Sequence, residues 1–410
     1  MYINIPNQIL ALKGQCVKEI LFNQENKIIE ICCRRDKRKK PIDPETGQPG
    51  RINQYIKRKI ADIPFFGCRC FIEIELAQVF INRNERRVEA CEFVDKGCFY
   101  TVRFCRLISG LCRYVSISTI ARHFGLRWET VKNVDRDYLE ETLPALDPSR
   151  LFNLKYIGVD EVARAKGHDY MTVIYDLETG GLIGVEKGRT TDVLSLFLKK
   201  LPDETKLQIK AVAMDMGIPY QSAVKQELPN ADIVFDRFHV MQNFSRAVKN
   251  QRRIEFRKAN REGKELIKGS LYLLLRNREN LNDNQGGRLD ALLSVNKNLS
   301  ELYLLKEQLQ TLWMAKTYED MESKLNHWCE MADQTEMIYI KKFAQLLRRH
   351  CVGICNYAKH PLTTARIEAG NIAIGMIRKR ARGLCDTEYF KLKIRQTTQP
   401  DMESMFYYAA

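Results

Sequence analysis

An α/β chain of several domains is predicted by three observations. Two apolar, β-branched runs, Tyr156-Ile-Gly-Val-Asp160-Glu161 and Val212-Ala-Met-Asp215-Met, each lead to an aspartate, as buried strands do where they emerge at the edge of a sheet. Between residues 151 and 245 such runs alternate with helical spacings. From about 240 to 355 the chain is poor in proline and carries leucines at helical intervals. With 410 residues, 45% of them hydrophobic, it exceeds one ordinary core, and two or three domains are expected.

Composition narrows the partners. A formal charge of +15 points to a polyanion, most simply nucleic acid, because cations that displace counterions from phosphates gain affinity. A membrane surface fits less well, since no basic amphipathic helix with an aromatic face is evident. No apolar run approaches the ~18 residues that span a bilayer, and the start MYINIPNQIL lacks the layout of a signal peptide. A cytoplasmic protein is expected. The 13 cysteines, odd in number and scattered, suit free thiols in a reducing compartment.

In chain order, residues 1–104 read as a small mixed or β-rich module. Ile28-Ile-Glu-Ile-Cys32 and Phe71-Ile-Glu-Ile-Glu75 alternate as strands do. Between them Arg34-Arg-Asp-Lys-Arg-Lys-Lys40 places six cations in seven residues, and a phosphate contact is weighed there against a solvated loop. Residues 105–150 hold a helix-turn-helix over Ser118–Val131. Ala121 lies four residues before Gly125, which suits a first helix and a tight turn. The second helix would turn Arg127, Trp128, Glu129, Lys132 and Asn133 towards DNA.

Residues 151–245 begin with Asp160. A hairpin follows, Asp169–Tyr175 and Leu182–Val185 around Glu178-Thr-Gly-Gly181. Then come a helix over 190–200, the strand before Asp215, a helix over 220–228 and a strand over 231–235. Three hairpin-joined strands, then helix, strand, helix, strand, is the order of a ribonuclease-H-like sheet. In that fold the first and fourth strands carry neighbouring metal-binding aspartates. The spacing 215 − 160 = 55 suits one sheet, whereas 368 − 215 = 153 requires an inserted all-helical subdomain, placed at 246–355. Inside it Asn282-Asp-Asn-Gln-Gly-Gly287 reads as the one obvious loop. Residues 356–400 supply a helix with Ile367-Glu368-Ala-Gly-Asn371, followed by Arg378, Lys379 and Arg380 as DNA-backbone contacts.

Carboxylates delivered by two strands and a helix are what a two-metal phosphoryl-transfer site needs, since hard cations want oxygen ligands and make close like charges tolerable. Glu161 would point to the opposite strand face from Asp160, and so lie behind the ligands at best. Asn371, about 300° from Glu368 on a helix, falls near its face and could orient a ligand. His239 and Arg237 are weighed as donors to the scissile phosphate, and Arg189 as a DNA contact.

Together the blocks Gly158-Val-Asp160-Glu161, Lys166-Gly-His-Asp-Tyr170, Gly188-Arg189, Met214-Asp215-Met216 with Tyr220, Leu228-Pro-Asn-Ala231, Asp236-Arg-Phe-His239, Glu368-Ala-Gly-Asn371 and Arg380-Ala-Arg-Gly383 resemble the DDE transposases of the ISL-three family of bacterial insertion sequences. The likeness covers residues 100–395 in one order. It implies a ribonuclease-H-like catalytic domain interrupted by a helical insertion, with Asp160, Asp215 and Glu368 as the metal triad. It further implies two Mg²⁺ or Mn²⁺ ions, double-stranded DNA as element ends and target, and a homodimer or larger assembly on DNA. The expected activity is cleavage at element ends and strand transfer. Two alternatives are an inert DNA-binding relic and a structure-selective nuclease on the same fold. The family's N-terminal zinc-ribbon-like module is where the chain departs. Cys32 and Cys33 are adjacent and Cys68 and Cys70 one apart, so zinc is not expected. Cys91, Cys98, Cys105 and Cys112, seven apart, are expected along one helical face.

Overall fold

The computed structural model describes residues 10–81, 85–144, 146–165, 167, 169–381 and 384–397. The chain divides between Pro144 and Ala145 into two compact units. The first opens with β1 (Gln15–Asn23), β2 (Ile28–Arg35), β3 (Arg51–Phe65), β4 (Cys68–Phe80) and β5 (Arg86–Val88). They form one sheet in the order β1-β2-β4-β3, with β5 on β4 and only β2–β4 parallel. Alternation buries Ile31, Cys33, Ile72, Ile74 and Leu76 in its core. The cationic run does not form one exposed loop. Arg35, the last residue of β2, is buried and grips Glu89 through two bonds of 2.8 and 2.9 Å, while Arg38 pairs with Asp36.

Helices α1 (Val102–Cys112), α2 (Ile117–Phe124) and α3 (Trp128–Thr142) follow. Thr101 and Ser116 cap the first two through their side chains. Gly125, at φ 66°, ends α2 in the left-handed conformation with its N–H on the Ala121 carbonyl. Phe104, Ile108, Ile120, Ala121 and Val131 pack between the three helices. The seven-residue cysteine period does not trace one helical face. Only Cys105 and Cys112 lie on α1, whereas Cys91 sits in a bridge with Val94 and Cys98 in the turn before the helix. A period of seven is compatible with a helix but does not create one, and Gly97, at φ 78°, belongs to that turn.

The second unit is built on β6 (Tyr156–Ala165), β7 (Asp169–Asp176), β8 (Leu182–Lys187), β9 (Ala211–Met214) and β10 (Asp232–Phe235). The sheet order is β10-β9-β6-β7-β8; β6, β7 and β8 are antiparallel neighbours, and β9 and β10 run parallel to β6. On one face Ile157, Val159, Ile174, Val212 and Met214 pack under α4 (Thr191–Lys199), α6 (Ile218–Glu227) and the helical segment beyond. A short α5 (Asp203–Gln208) precedes β9. The other face, Val162, Met171, Val173, Tyr175 and Ala213, lies under α15 (Ala365–Ala381) and α16 (Thr387–Thr397).

The helical excursion packs on the first face and is led by α7 (Arg237–Lys258), which starts directly after β10. It continues through α8 (Arg261–Ile267), α9 (Leu271–Leu275), α10 (Asp283–Val295), α11 (Lys297–Thr311), α12 (Tyr318–Gln334), α13 (Ile338–Arg349) and α14 (Cys351–Cys355). The stretch 282–287 is not a loop but the start of α10. Asn282 and Gln285 form a reciprocal capping box, which outweighs the low helix propensity of Gly286 and Gly287. The chain returns to the sheet at Gly353, where a Cβ would stand 2.4 Å from the Phe235 ring. No helix among the described residues is long and apolar enough to cross a membrane.

Candidate functional site

The parallel ladder fixes the aspartates. Tyr156, Ile157 and Gly158 pair with Ala211, Val212 and Ala213, a constant offset of 55, so Asp160 and Asp215 stand level on neighbouring strands. Both belong to the face covered by α15, because Ile157 and Val159 on β6 and Val212 and Met214 on β9 point the other way. Asp215 directly follows the last residue of β9. Asp160 does not end its strand: β6 runs on to Ala165, held by β7 alone once β9 has stopped. Each carboxylate accepts the next residue's amide, Glu161 N–H to Asp160 at 2.7 Å and Met216 N–H to Asp215 at 2.6 Å.

Glu368 reaches the same place from α15, which approaches the sheet closely through two glycines. A Cβ on Gly158 would meet Ile367 Cδ1 at 2.3 Å, and one on Gly370 would meet the Tyr175 hydroxyl at 2.4 Å. Asn371, three residues past Glu368, donates its amide to Asp160 Oδ2 at 2.7 Å. A cavity of about 80 Å³ is lined by Asp160, Asp215, Asp236, His239, Thr364 and Glu368 together with Phe238. Asp160 is half-buried, whereas Asp215 and Glu368 are exposed. Burial pushes the Asp160 carboxyl above its usual range, against the amide of Glu161 and Asn371, and nearby Asp215 adds to the rise. His239 stands 3.9 Å from both Asp215 and Asp236.

Two groups stand behind the carboxylates: Asp236, which the sequence offers as an alternative ligand, and Thr364, which it does not single out. Asp236 is buried, caps α7 by accepting the Phe238 amide at 3.0 Å, and accepts the Thr364 hydroxyl at 2.7 Å. Thr364 immediately precedes α15, and its carbonyl accepts the Glu368 amide. The pair thus ties the end of β10 to the start of the glutamate helix across 128 residues of sequence. An aspartate between a strand and a helical run signals the cap, but nothing local signals Thr364.

The other sequence-chosen residues are placed as follows. Glu161 is exposed, on the strand face opposite Asp160, and pairs with Arg189 at 3.4 Å; the Arg189 guanidinium also lies 4.3 Å from the Tyr170 ring. Arg378 donates to the Ala163 carbonyl on β6, so part of its guanidinium is committed within the unit. Lys379 is exposed and Arg380 partly so. In the first unit Arg127, Trp128 and Asn133 are exposed, with the Lys132 ammonium 5.9 Å from the Trp128 ring. Lys166, His168, Arg382 and Gly383 lie outside the described residues. Tyr220 is structural: buried, it shares a 2.8 Å bond with Thr172, and burial pushes its hydroxyl up to about 12.

The three carboxylates offer this cavity oxygen donors, the set that Mg²⁺ or Mn²⁺ takes, with the His239 imidazole beside them. Asn371 Oδ1 is buried beside it without a hydrogen-bond partner. Among the described residues no three His, Cys, Asp or Glu side chains stand close enough to hold an ion as they are. Bare like charges repel, and here each aspartate turns to its own chain's amide instead.

A transposase family profile matches residues 157–394, and one described as the helix-turn-helix domain of transposase family ISL3 matches residues 89–139. The transposase for insertion sequence element IS1001 of Bordetella parapertussis is 33% identical over 349 residues, covering 84% of this chain and 85% of that protein. The transposase for insertion sequence element IS1557 of Mycobacterium tuberculosis is 26% identical over 336 residues, covering 76% and 75%. The chain belongs to the ISL3 family of insertion-sequence transposases, with a DDE domain and a helix-turn-helix.

Proposed function

We propose that this transposase binds the ends of an insertion sequence and catalyses their metal-dependent cleavage and strand transfer. The observation that carries the reading is the level placement of Asp160 and Asp215 on adjacent strands, with Glu368 brought into their cavity by α15. The sheet order supports a ribonuclease-H-like domain in two parts, 151–245 and 356–400, around an insertion at 246–355. The 105–150 segment is the proposed DNA-end reader, and residues 1–104 its accompanying module. Asp160, Asp215 and Glu368 would hold two Mg²⁺ or Mn²⁺ ions. When bound, these would neutralise charge on the scissile phosphate and on the attacking and leaving oxygens.

The chain's own groups do the positioning. Asn371 holds Asp160 by one oxygen, and Asp236 holds Thr364 and so the first turn of α15, which fixes where Glu368 enters. His239, between two carboxylates, is placed to orient Asp215 rather than to reach a substrate alone. Lys379 and Arg380, with the uncommitted part of Arg378, and Arg127, Trp128, Lys132 and Asn133 in the first unit are proposed DNA contacts. Arg189 would have to release Glu161 to join them. In the first step water attacks the phosphorus and the 3′-oxygen leaves as a hydroxyl. That hydroxyl then attacks a target phosphodiester, whose own 3′-oxygen departs, so the number of phosphodiester bonds is kept.

The test uses labelled duplex carrying the element's own end, with Mg²⁺, beside Asp215→Ala. Nicking at the end by the parent, and a loss of about a hundred-fold or more in the variant, is expected, since even residues behind metal ligands are worth 10–100-fold. End binding with no cleavage by the parent would refute the catalytic reading and leave a DNA-binding relic.

A further inference from the structure

Helix α7 leaves the carboxylate cavity with a cationic stripe on its outer side. Phe238 and His239 in its first turn line the cavity. At about 100° per residue, Arg246, Lys249, Arg253 and Arg257 fall at about 0°, 300°, 340° and 20°, and His239 at about 20°. All four cations are exposed. The buried residues Val240, Phe244, Ala247, Val248, Gln251 and Glu255 occupy the opposite side. Glu255 is the helix's one acid, and it points into the core, where it accepts from Gln251 and Asn298.

The stripe combines alignment on one helix face, a start at the cavity and the lack of acidic partners. Several exposed cations elsewhere are matched, as in Lys57–Glu73, Lys59–Glu30, Arg278–Asp290 and Arg348–Asp333. Among the described residues no ion pair involves Arg246, Lys249, Arg253 or Arg257. Arg246 bonds only the neutral amides of Gln242 and Asn243. Four unpaired, aligned cations repel one another, an arrangement that favours a bound polyanion over an empty surface.

We propose that this face of α7 is the track on which the duplex next to the scissile phosphate lies, its backbone phosphates seated on Arg246, Lys249, Arg253 and Arg257. The inference rests on the catalytic reading of the cavity and names the surface that feeds it. The dimensions agree. From His239 to Arg257 the helix rises about 27 Å at 1.5 Å per residue, which is about eight base pairs at ~3.4 Å each. Because the stripe makes phosphate contacts alone, it holds DNA in register without reading sequence.

The experiment compares the full chain with the Arg246→Gln, Lys249→Gln, Arg253→Gln, Arg257→Gln quadruple variant. Binding to an end-bearing duplex is measured in metal-free buffer across a salt series. Four duplex phosphate contacts contribute about 3.6 to the slope of log affinity against log salt, so the variant's slope should be shallower by about three to four. A companion variant with Arg246, Arg253 and Arg257 changed to Lys keeps the charges and should keep the parent's slope. Should the quadruple fail to fold, Lys249→Gln alone is expected to lower the slope by about one. An unchanged slope in the folded quadruple, or in that single variant, overturns the track. Failure of the catalytic reading shows separately, as absence of Mg²⁺-dependent nicking by the parent whatever the slopes are.

Discussion

Asp160 carries a cost that its neighbours only partly offset. Its carboxylate sits half-buried beside Asp215, and two donors, the Glu161 amide and Asn371, are not enough to bring its pKa down to the ordinary range. The sign of the pH effect follows. A carboxyl that is harder to ionise folded than unfolded binds more protons in the native state across the interval between the two pKa values. Stability of the metal-free protein therefore falls as pH rises through that interval, and the penalty stays constant above it. Asp160→Asn removes the penalty while keeping an acceptor for the Glu161 amide. We expect the metal-free variant to melt above the parent at neutral pH, with the two converging below the carboxylate range. An equal gap at all pH values would mean that ionisation of Asp160 is not the cause. The aspartate itself was legible in the sequence as the end of an apolar run. Its partner Asn371 was legible from helix angle, and the continuation of β6 beyond Asp160 was not, because Glu161–Ala165 lacks an apolar pattern and is held by β7.

At the level of elements, α15 shows why the glutamate reaches the sheet at all. Glycine at 158 on β6 and at 370 on the helix removes the two side chains that would hold the axes apart. Gly158→Ala would place a Cβ 2.3 Å from Ile367 Cδ1 and 2.8 Å from Leu177 Cδ2, and buried methyls offer no free end to swing away. Overpacking of this kind costs about 1–3 kcal/mol, and here it also pushes Glu368 away from the aspartates. Urea melts should show that loss, and Ile367→Ala in the same chain should recover part of it, because the two sites couple directly. A fully additive double variant would place the clash elsewhere. Most strands and helices of the second unit follow from apolar period and turn residues. The elements that did not, α5 and the start of α10, are decided by few residues. In α10 the capping box at Asn282 and Gln285 prevails over a composition that reads as loop. The Asp236–Thr364 bond joins segments far apart in sequence, and no local pattern encodes it.

For the whole molecule, the division at Pro144 matters as much as the site. The buried clusters of the second unit run from Leu151 to Ile394, and those of the first from Leu12 to Val131. Each unit's core is thus made from its own residues. The second encloses both faces of its sheet, and a chain of that length buries enough surface to stand without help. The periods of the sequence change from alternating to mixed to helical, and the last of these changes, near residue 240, falls inside the second unit. The sequence did not reveal that the N-terminal sheet pairs β2 with β4, since register across a loop is set by packing. Expressed alone, residues 145–398 should unfold in one cooperative transition by circular dichroism. All three carboxylates lie within that fragment, so on the proposed function Mg²⁺ must stabilise it as it does the full chain. A ligand at a hundred times its dissociation constant adds about 2.7 kcal/mol, which for a unit of this size raises the midpoint by about 5–10 °C. The same addition to the Asp160→Asn, Asp215→Asn double variant should move it little. A fragment that melts cooperatively but ignores Mg²⁺, or a double variant that responds like its parent, would place the cation away from these carboxylates.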